Sequence, residues 1–173
     1  MKLKISFTIY SLIYSKQIIR IIIHSNGLTY NLFTFTGNDN IHVLTTSGRY
    51  ELRIDLSDWK GNKWFAIYKT FSLGNENTRY ELNIGEYSGN AKDGLARHNG
   101  MKFSTKDQDN DKSSKTDCAE LAKGGWWYAS CHCSNLNGIY KTGNTKHWDV
   151  VSWNEIKGSR YSMKFARMMI RRF

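Results

Sequence analysis

The stretch from residue 86 to residue 160 constrains this chain more than any other feature. Over that length no period of 2 or 3.6 is sustained, and Gly, Asn, Asp, Ser and Trp dominate. A structureless loop of this size is implausible inside a compact domain, because its ordering entropy and its backbone polar groups need compensation. Something other than regular backbone pairing has to hold it: a metal, a disulfide or packed aromatic side chains. Material for each is present, since the sequence has 6 Trp, 10 Tyr, 8 Phe and 3 Cys.

The flanks read differently. The pattern becomes strand-like from residue 41. Tyr50–Leu56 then alternates apolar and charged residues with period two, which predicts a half-buried strand. Asp58–Lys63 supplies turn chemistry, and Trp64–Phe71 returns as a second strand, so the pair reads as a hairpin. Tyr80–Ile84 is a third alternating strand, and Tyr161–Ile170 is expected to be the last. Residues 1–33 are apolar and β-branched without a clean period. The run Ile18, Ile19, Ile21, Ile22 and Ile23 would aggregate as a flat exposed strand, so it needs a covering partner or is removed. Met1–Tyr14 has the basic-then-apolar order of a weak signal peptide, interrupted by Lys16 and Arg20; a misjudged start of the reading frame is the alternative. No apolar run reaches the ~20 residues of a membrane span.

The net charge of +10 favours anionic partners in general. The Lys and Arg residues are nevertheless scattered, with local bias only at Lys2, Lys4, Lys16 and Arg20 and at Arg167, Arg171 and Arg172. The clustered stripe of a nucleic-acid binder is missing. So are a P-loop, a Gly-x-Gly-x-x-Gly turn and a Gly-x-Ser-x-Gly elbow, and nothing points to an enzyme.

Two clusters inside the long stretch carry chemistry. Asp107, Asp109 and Asp111 place carboxylates at every second position. Such a loop can turn its oxygens onto one calcium ion, which takes six to eight of them. The helix-loop-helix calcium motif is excluded, since counting from Asp107 puts Lys112 where it needs Gly and Cys118 where it needs Glu. A solvated polar loop is the competing reading. Cys118 and Cys131 bracket the second cluster, with Gly124-Gly-Trp-Trp-Tyr128 between them. A disulfide there would contribute roughly 3 kcal/mol in the chain-entropy model. A zinc site on Cys118, Cys131, His132 and Cys133 is the rival, with poor spacing for one tetrahedral ion. A catalytic pair of His132 with Cys131 or Cys133 has no evident orienting acid.

Taken together, these strings resemble the fibrinogen C-terminal domain family, in the style of its ficolin- and tachylectin-like lectin members. FSTKDQDND at 103–111, CAE at 118–120, GGWWY at 124–128, Cys131-His132 and NLNGIY at 135–140 carry the resemblance. GNDNIHVLT at 37–45, YSGNAKD at 87–93 and HNGMKFST at 98–105 add to it. It covers about residues 34–173 and leaves 1–33 unaligned. It implies an α+β fold: a twisted antiparallel sheet over about 34–85 and 161–170, a loop-rich calcium-binding subdomain over about 86–160, and a missing N-terminal subdomain. It also implies a Cys118–Cys131 disulfide, hence an oxidising compartment, with Cys133 left over. Calcium would be held by Asp109 and Asp111 with backbone carbonyls near Ser113 and Lys115.

In the lectin members a pocket beside that loop takes an acetyl group. The resemblance places a cis peptide at Ser130–Cys131 and a pocket histidine at His132. His147-Trp148 stands where lectins carry Tyr-Ala, Ser159 replaces an aromatic residue, and Ala122 precedes Lys123 and the double glycine. Trp126 and Trp127 are expected to serve packing. The implied function is a secreted, calcium-stabilised, lectin-like module for glycans or acetylated surface groups, as in innate immune pattern recognition. The alternatives are an extracellular matrix or receptor-ligand domain, possible as a homo-oligomer, and a truncated fragment without activity of its own.

Overall fold

The computed structural model describes residues 4–7, 9–10, 18–25, 28–34 and 37–172, the first four stretches as backbone pairing alone. Part of the Met1–Tyr14 segment therefore lies outside the described residues. Elements follow in chain order: β1 Lys4–Phe7, β2 Ile9–Tyr10, β3 Ile18–Ser25, β4 Leu28–Thr34, α1 Asn38–Thr46, β5 Tyr50–Ser57, β6 Lys63–Leu73 and β7 Leu82–Gly89. After these come α2 Cys118–Ala122, β8 Ser134–Asn135, β9 Gly143–Asn144, β10 Ser152–Trp153, α3 Asn154–Lys157, β11 Tyr161–Ser162 and β12 Phe165–Arg172. The architecture is α+β.

One antiparallel sheet runs β2-β3-β1-β12-β5-β6-β7, with β4 on β3. The isoleucine run lies in β3, where β4 pairs residues 19–25 and β1 and β2 share the other edge. The period-two pattern of β5 explains the core beneath. Leu52, Ile54 and Leu56 are buried, while Arg53, Asp55 and Ser57 take the opposite face. Register sets Ile170 beside Leu52 and Met168 beside Ile54 on one side, and Tyr68 and Ala66 on the other. A chain-terminal strand is thus placed in the middle of the sheet. The Asp58 carboxylate shapes the β5–β6 turn by accepting from Lys60 N and Asn62 N at 2.9 Å each and from Asn62 Nδ2 at 2.8 Å.

Three elements differ from expectation. Residues from 41 onward are not strand-like but belong to helix α1. Ile41, Leu44 and Thr45 stand at helical spacing and face the core, and His42 Nδ1 bonds Leu73 O at 2.8 Å, so tertiary contact with β6 overrides β-branched propensity. The third strand begins at Leu82 instead of Tyr80, which has φ +51°, and runs on to Gly89. The last expected strand is two, β11 and β12, divided at Met163, which is fully buried.

Residues 90–160 hold only short elements. Their order comes from an extension of the same core, in which Trp126, Tyr128, Leu136 and Trp153 are fully buried. Trp126 and Trp127 meet edge-on at 5.1 Å, and Trp153 Nε1 donates to Ala91 O at 2.9 Å. His98 clamps this core from inside. Its Nε2 accepts from Cys133 N at 3.1 Å and Ser134 N at 3.2 Å, so the proton sits on Nδ1, which donates to Trp127 O at 2.7 Å. Burial pushes the His98 pKa down to about 4.

Two outcomes are expected. Ile54→Ala should lower the unfolding free energy by about 3 kcal/mol in urea titration; a loss under about 1 kcal/mol would contradict a closed core under β5. Between pH 6.5 and 4 an unfolded His98 binds a proton that the folded one refuses, so acidification favours unfolding through that window and adds nothing below it. From pH 7 to pH 4 this should cost about 3 kcal/mol. His98→Gln should remove that share of the pH dependence, and an unchanged slope would rule the clamp out.

Candidate functional site

The acidic loop is pinned at both ends before its carboxylates are aimed. Asn110 N donates to Ser104 Oγ at 3.0 Å and Asn110 Nδ2 to Phe103 O at 2.8 Å, while Lys112 N donates to Ala129 O at 2.9 Å. Asp111 is held between these anchors. Its Oδ1 accepts from Ser113 N at 2.6 Å and its Oδ2 from Cys118 N at 2.8 Å. Asp109 Oδ1 accepts from Asp111 N at 3.0 Å. Asp117 caps α2 through Glu120 N at 2.9 Å.

The result is one cluster: a carboxylate oxygen from each of Asp109, Asp111 and Asp117 lies within 4.8 Å of the others. Two oxygens that each stand about 2.4 Å from one ion are no more than about 4.8 Å apart, so this set is compatible with calcium. Asp107 is not in the cluster; a hydrogen bond with Thr105 holds its carboxyl below the usual range. Asp117 is the member that sequence reading missed. Its signal was the capping pattern Asp117-x-x-Glu120. Burial, reinforced by the charge of Asp109, pushes the Asp111 carboxyl up, against the pull of the Cys118 and Ser113 amides. A hard cation would offset that crowding of like charge. Ser113 and Lys115 sit on the turn between Asp111 and Asp117, with Lys115 N on Ser113 Oγ at 3.5 Å.

The same loop leads directly to the second cluster. Cys118, whose amide binds Asp111, is joined by a disulfide to Cys131, with Cα atoms 5.4 Å apart. This closes the zinc reading on Cys118, Cys131, His132 and Cys133, because two of the four sulfur and nitrogen donors are spent. Cys133 is a free, partly buried thiol. The Ser130–Cys131 peptide is cis.

His132 follows. Its Nε2 bonds the Trp148 carbonyl at 3.2 Å, and a carbonyl can only accept, so Nε2 carries the proton. Nδ1 is then a bare acceptor, buried and without a partner among the described residues. Burial lowers the His132 pKa to about 4, so the ring is neutral at physiological pH. Trp148 covers it, with ring centroids 5.1 Å apart.

The structure therefore brings Cys131, His132 and Trp148 together, with exposed Ser130 beside them. His147 is exposed, and its carbonyl accepts from Thr145 Oγ1 at 2.6 Å. Ser159 is half-buried. Among the described residues neither makes a hydrogen bond or ring contact with His132.

Comparison with known proteins bears on this geometry. The family model for the C-terminal globular domain of the fibrinogen beta and gamma chains matches residues 27–173, an earlier start than the expected 34. Ryncolin-4 of Cerberus rynchops is 49% identical over 137 residues, covering 78% of this chain and 39% of ryncolin-4. Tenascin-R of Gallus gallus is 46% identical over 135 residues, covering 78% of this chain and 10% of tenascin-R. The chain thus spans less than half the length of either relative. The solved fibrinogen-like globe domain of human ANGPTL6 superposes with a TM-score of 0.79 at 32% identity, over 96% of this chain and 89% of that one. Lamprey fibrin D-dimer, solved with the peptide Gly-His-Arg-Pro-amide, gives 0.79 at 26% identity, over 96% and 69%. With the family model spanning the chain from β4 to β12, its acidic loop and its disulfide included, this chain belongs to the fibrinogen C-terminal globular domain family.

Proposed function

We propose that the chain is a secreted, calcium-stabilised recognition module that binds glycans or other surface groups bearing an acetyl function. The observation that carries this reading is the Nδ1 of His132, a neutral, buried acceptor with no partner among the described residues. An unpaired buried acceptor is costly, and the N–H of an acetamido group is one donor that would satisfy it. Ser130, Cys131, His132 and Trp148 would line the ligand side, with His147 and Ser159 at its margin.

Asp109, Asp111 and Asp117 would hold the ion, with the carbonyls of Ser113 and Lys115. Calcium supplies positive charge that offsets the crowded carboxylates and orders their loop. Ordering passes to the ligand side through this chain's own groups: Asp111 to the Cys118 amide, Cys118 to Cys131, and Cys131 to its neighbour His132. The disulfide supports an oxidising, extracellular setting. No helix among the described residues is long and apolar enough to cross a membrane.

Trp148 favours a second reading, because its ring packs against His132 and would compete with an acetyl group for the space beside it. The same surface would then contact a protein or peptide, as an extracellular matrix or receptor-ligand domain does.

Calcium at a hundredfold excess over its dissociation constant should stabilise the fold by about 2.7 kcal/mol, seen as a rise in Tm, and Asp109→Ala should abolish that rise. Retention on an acetylated resin should be lost in chelator and in Asp109→Ala, and should fall sharply in His132→Phe with Tm little changed. Equal retention under all of these conditions would contradict the proposal. Capture of a protein partner that N-acetyl sugars do not displace would select the second reading.

A further inference from the structure

The outer face of the sheet, opposite the core, carries a groove of about 700 Å³ that the acidic loop and His132 do not touch. Register builds it. Asp55 on β5 stands between Arg167 on β12 and Phe65 on β6, so cation, anion and aromatic ring cross three strands in one row. Both oxygens of the Asp55 carboxylate are engaged: Oδ1 accepts from Arg53 Nε and Oδ2 from Arg167 Nη2, both at 2.7 Å. Two guanidinium groups thus share one negative charge. Among the described residues most of their ten N–H donors stay uncommitted, and Arg167 Nε is buried without a partner there. Both cations are held in place by rings, Arg53 over Phe65 at 4.8 Å and Arg167 over Phe165 at 5.7 Å. Lys63 and Lys164 add charge at the rim, and neither is paired with a carboxylate among the described residues.

We infer that this groove binds an acidic peptide segment of a partner protein. Its carboxylates would meet Arg53, Arg167, Lys63 and Lys164. Its apolar side chains would lie on Phe65, Phe165 and Tyr140, of which Phe165 is 40% and Tyr140 54% exposed. Charge complementarity fixes the sign of the ligand, and fork-shaped guanidinium donors suit carboxylates. A sulfated polysaccharide would have to lay repeated negative charge across Asp55 and apolar rings; a peptide with one or two carboxylates flanked by apolar side chains need not. Strands β12, β5 and β6 each have neighbours on both sides, so the peptide would bind through side chains and not by adding a strand.

The test is selection of a random dodecapeptide library on the full chain, refolded with its disulfide and with calcium. Fluorescence polarisation on selected peptides follows, against wild type, Lys63→Glu/Lys164→Glu and Asp109→Ala. A heparin-derived oligosaccharide serves as the glycan arm. Selected peptides should be enriched in Asp and Glu next to Phe, Leu or Trp. They should lose at least tenfold in affinity in the double variant, keep it in Asp109→Ala, and weaken with salt. Two outcomes would overturn the inference. One is peptides without acidic enrichment, or with affinity unchanged in the double variant while its Tm matches wild type. The other is the oligosaccharide binding the groove more tightly than any selected peptide.

Discussion

One short covalent and hydrogen-bonded path ties the acidic loop to the segment that carries His132: Asp111 to the Cys118 amide, and Cys118 through its disulfide to Cys131. Each link fixes a different kind of freedom. The carboxylate sets the approach of the acidic loop to the start of α2. The disulfide closes the segment that carries the double tryptophan. The anchors at Asn110 and Lys112 then tie the acidic loop back to Ser104 and Ala129, so the path is a closed circuit and not a tether. Regular backbone pairing contributes little here, since the strands of this lobe are two residues long.

The second half of the lobe depends on histidines that are kept neutral. His98 can accept from the Cys133 and Ser134 amides only while Nε2 is bare, and burial enforces that state. His132 is desolvated in the same way, but its free nitrogen meets no donor among the described residues. One histidine is consumed by structure and the other keeps an acceptor in reserve. This difference in hydrogen-bond satisfaction, not the residue type, separates the clamp from the proposed recognition group.

Much of this was legible in the sequence because it rests on local chemistry. Period-two alternation located β5, and Asp58 with Gly61 located its turn. The disulfide and the acidic loop stood out by residue type and by resemblance. What failed to show depended on distant contacts. Ile41 and Val43 look like strand residues, and only packing of Ile41 and Leu44 toward β6 makes their segment helical. Asp117 reads as a helix cap until the fold brings it to Asp109 and Asp111. His98 is one histidine among five until two backbone amides converge on it. The groove around Asp55 is invisible in a linear reading, because its row crosses strands more than a hundred residues apart.

The central claim is that a bound cation and the disulfide jointly order the lobe that the sheet does not. Hydrogen exchange measured residue by residue, with calcium, with chelator, and after reduction, tests it most directly. The account predicts that Lys112, Ser113, Cys118, Cys133 and Ser134 amides lose protection on chelation, and lose more on reduction. Amides of β5 and β6 should stay protected in all three conditions. Unchanged protection at those five amides, or uniform loss across sheet and lobe alike, would contradict it.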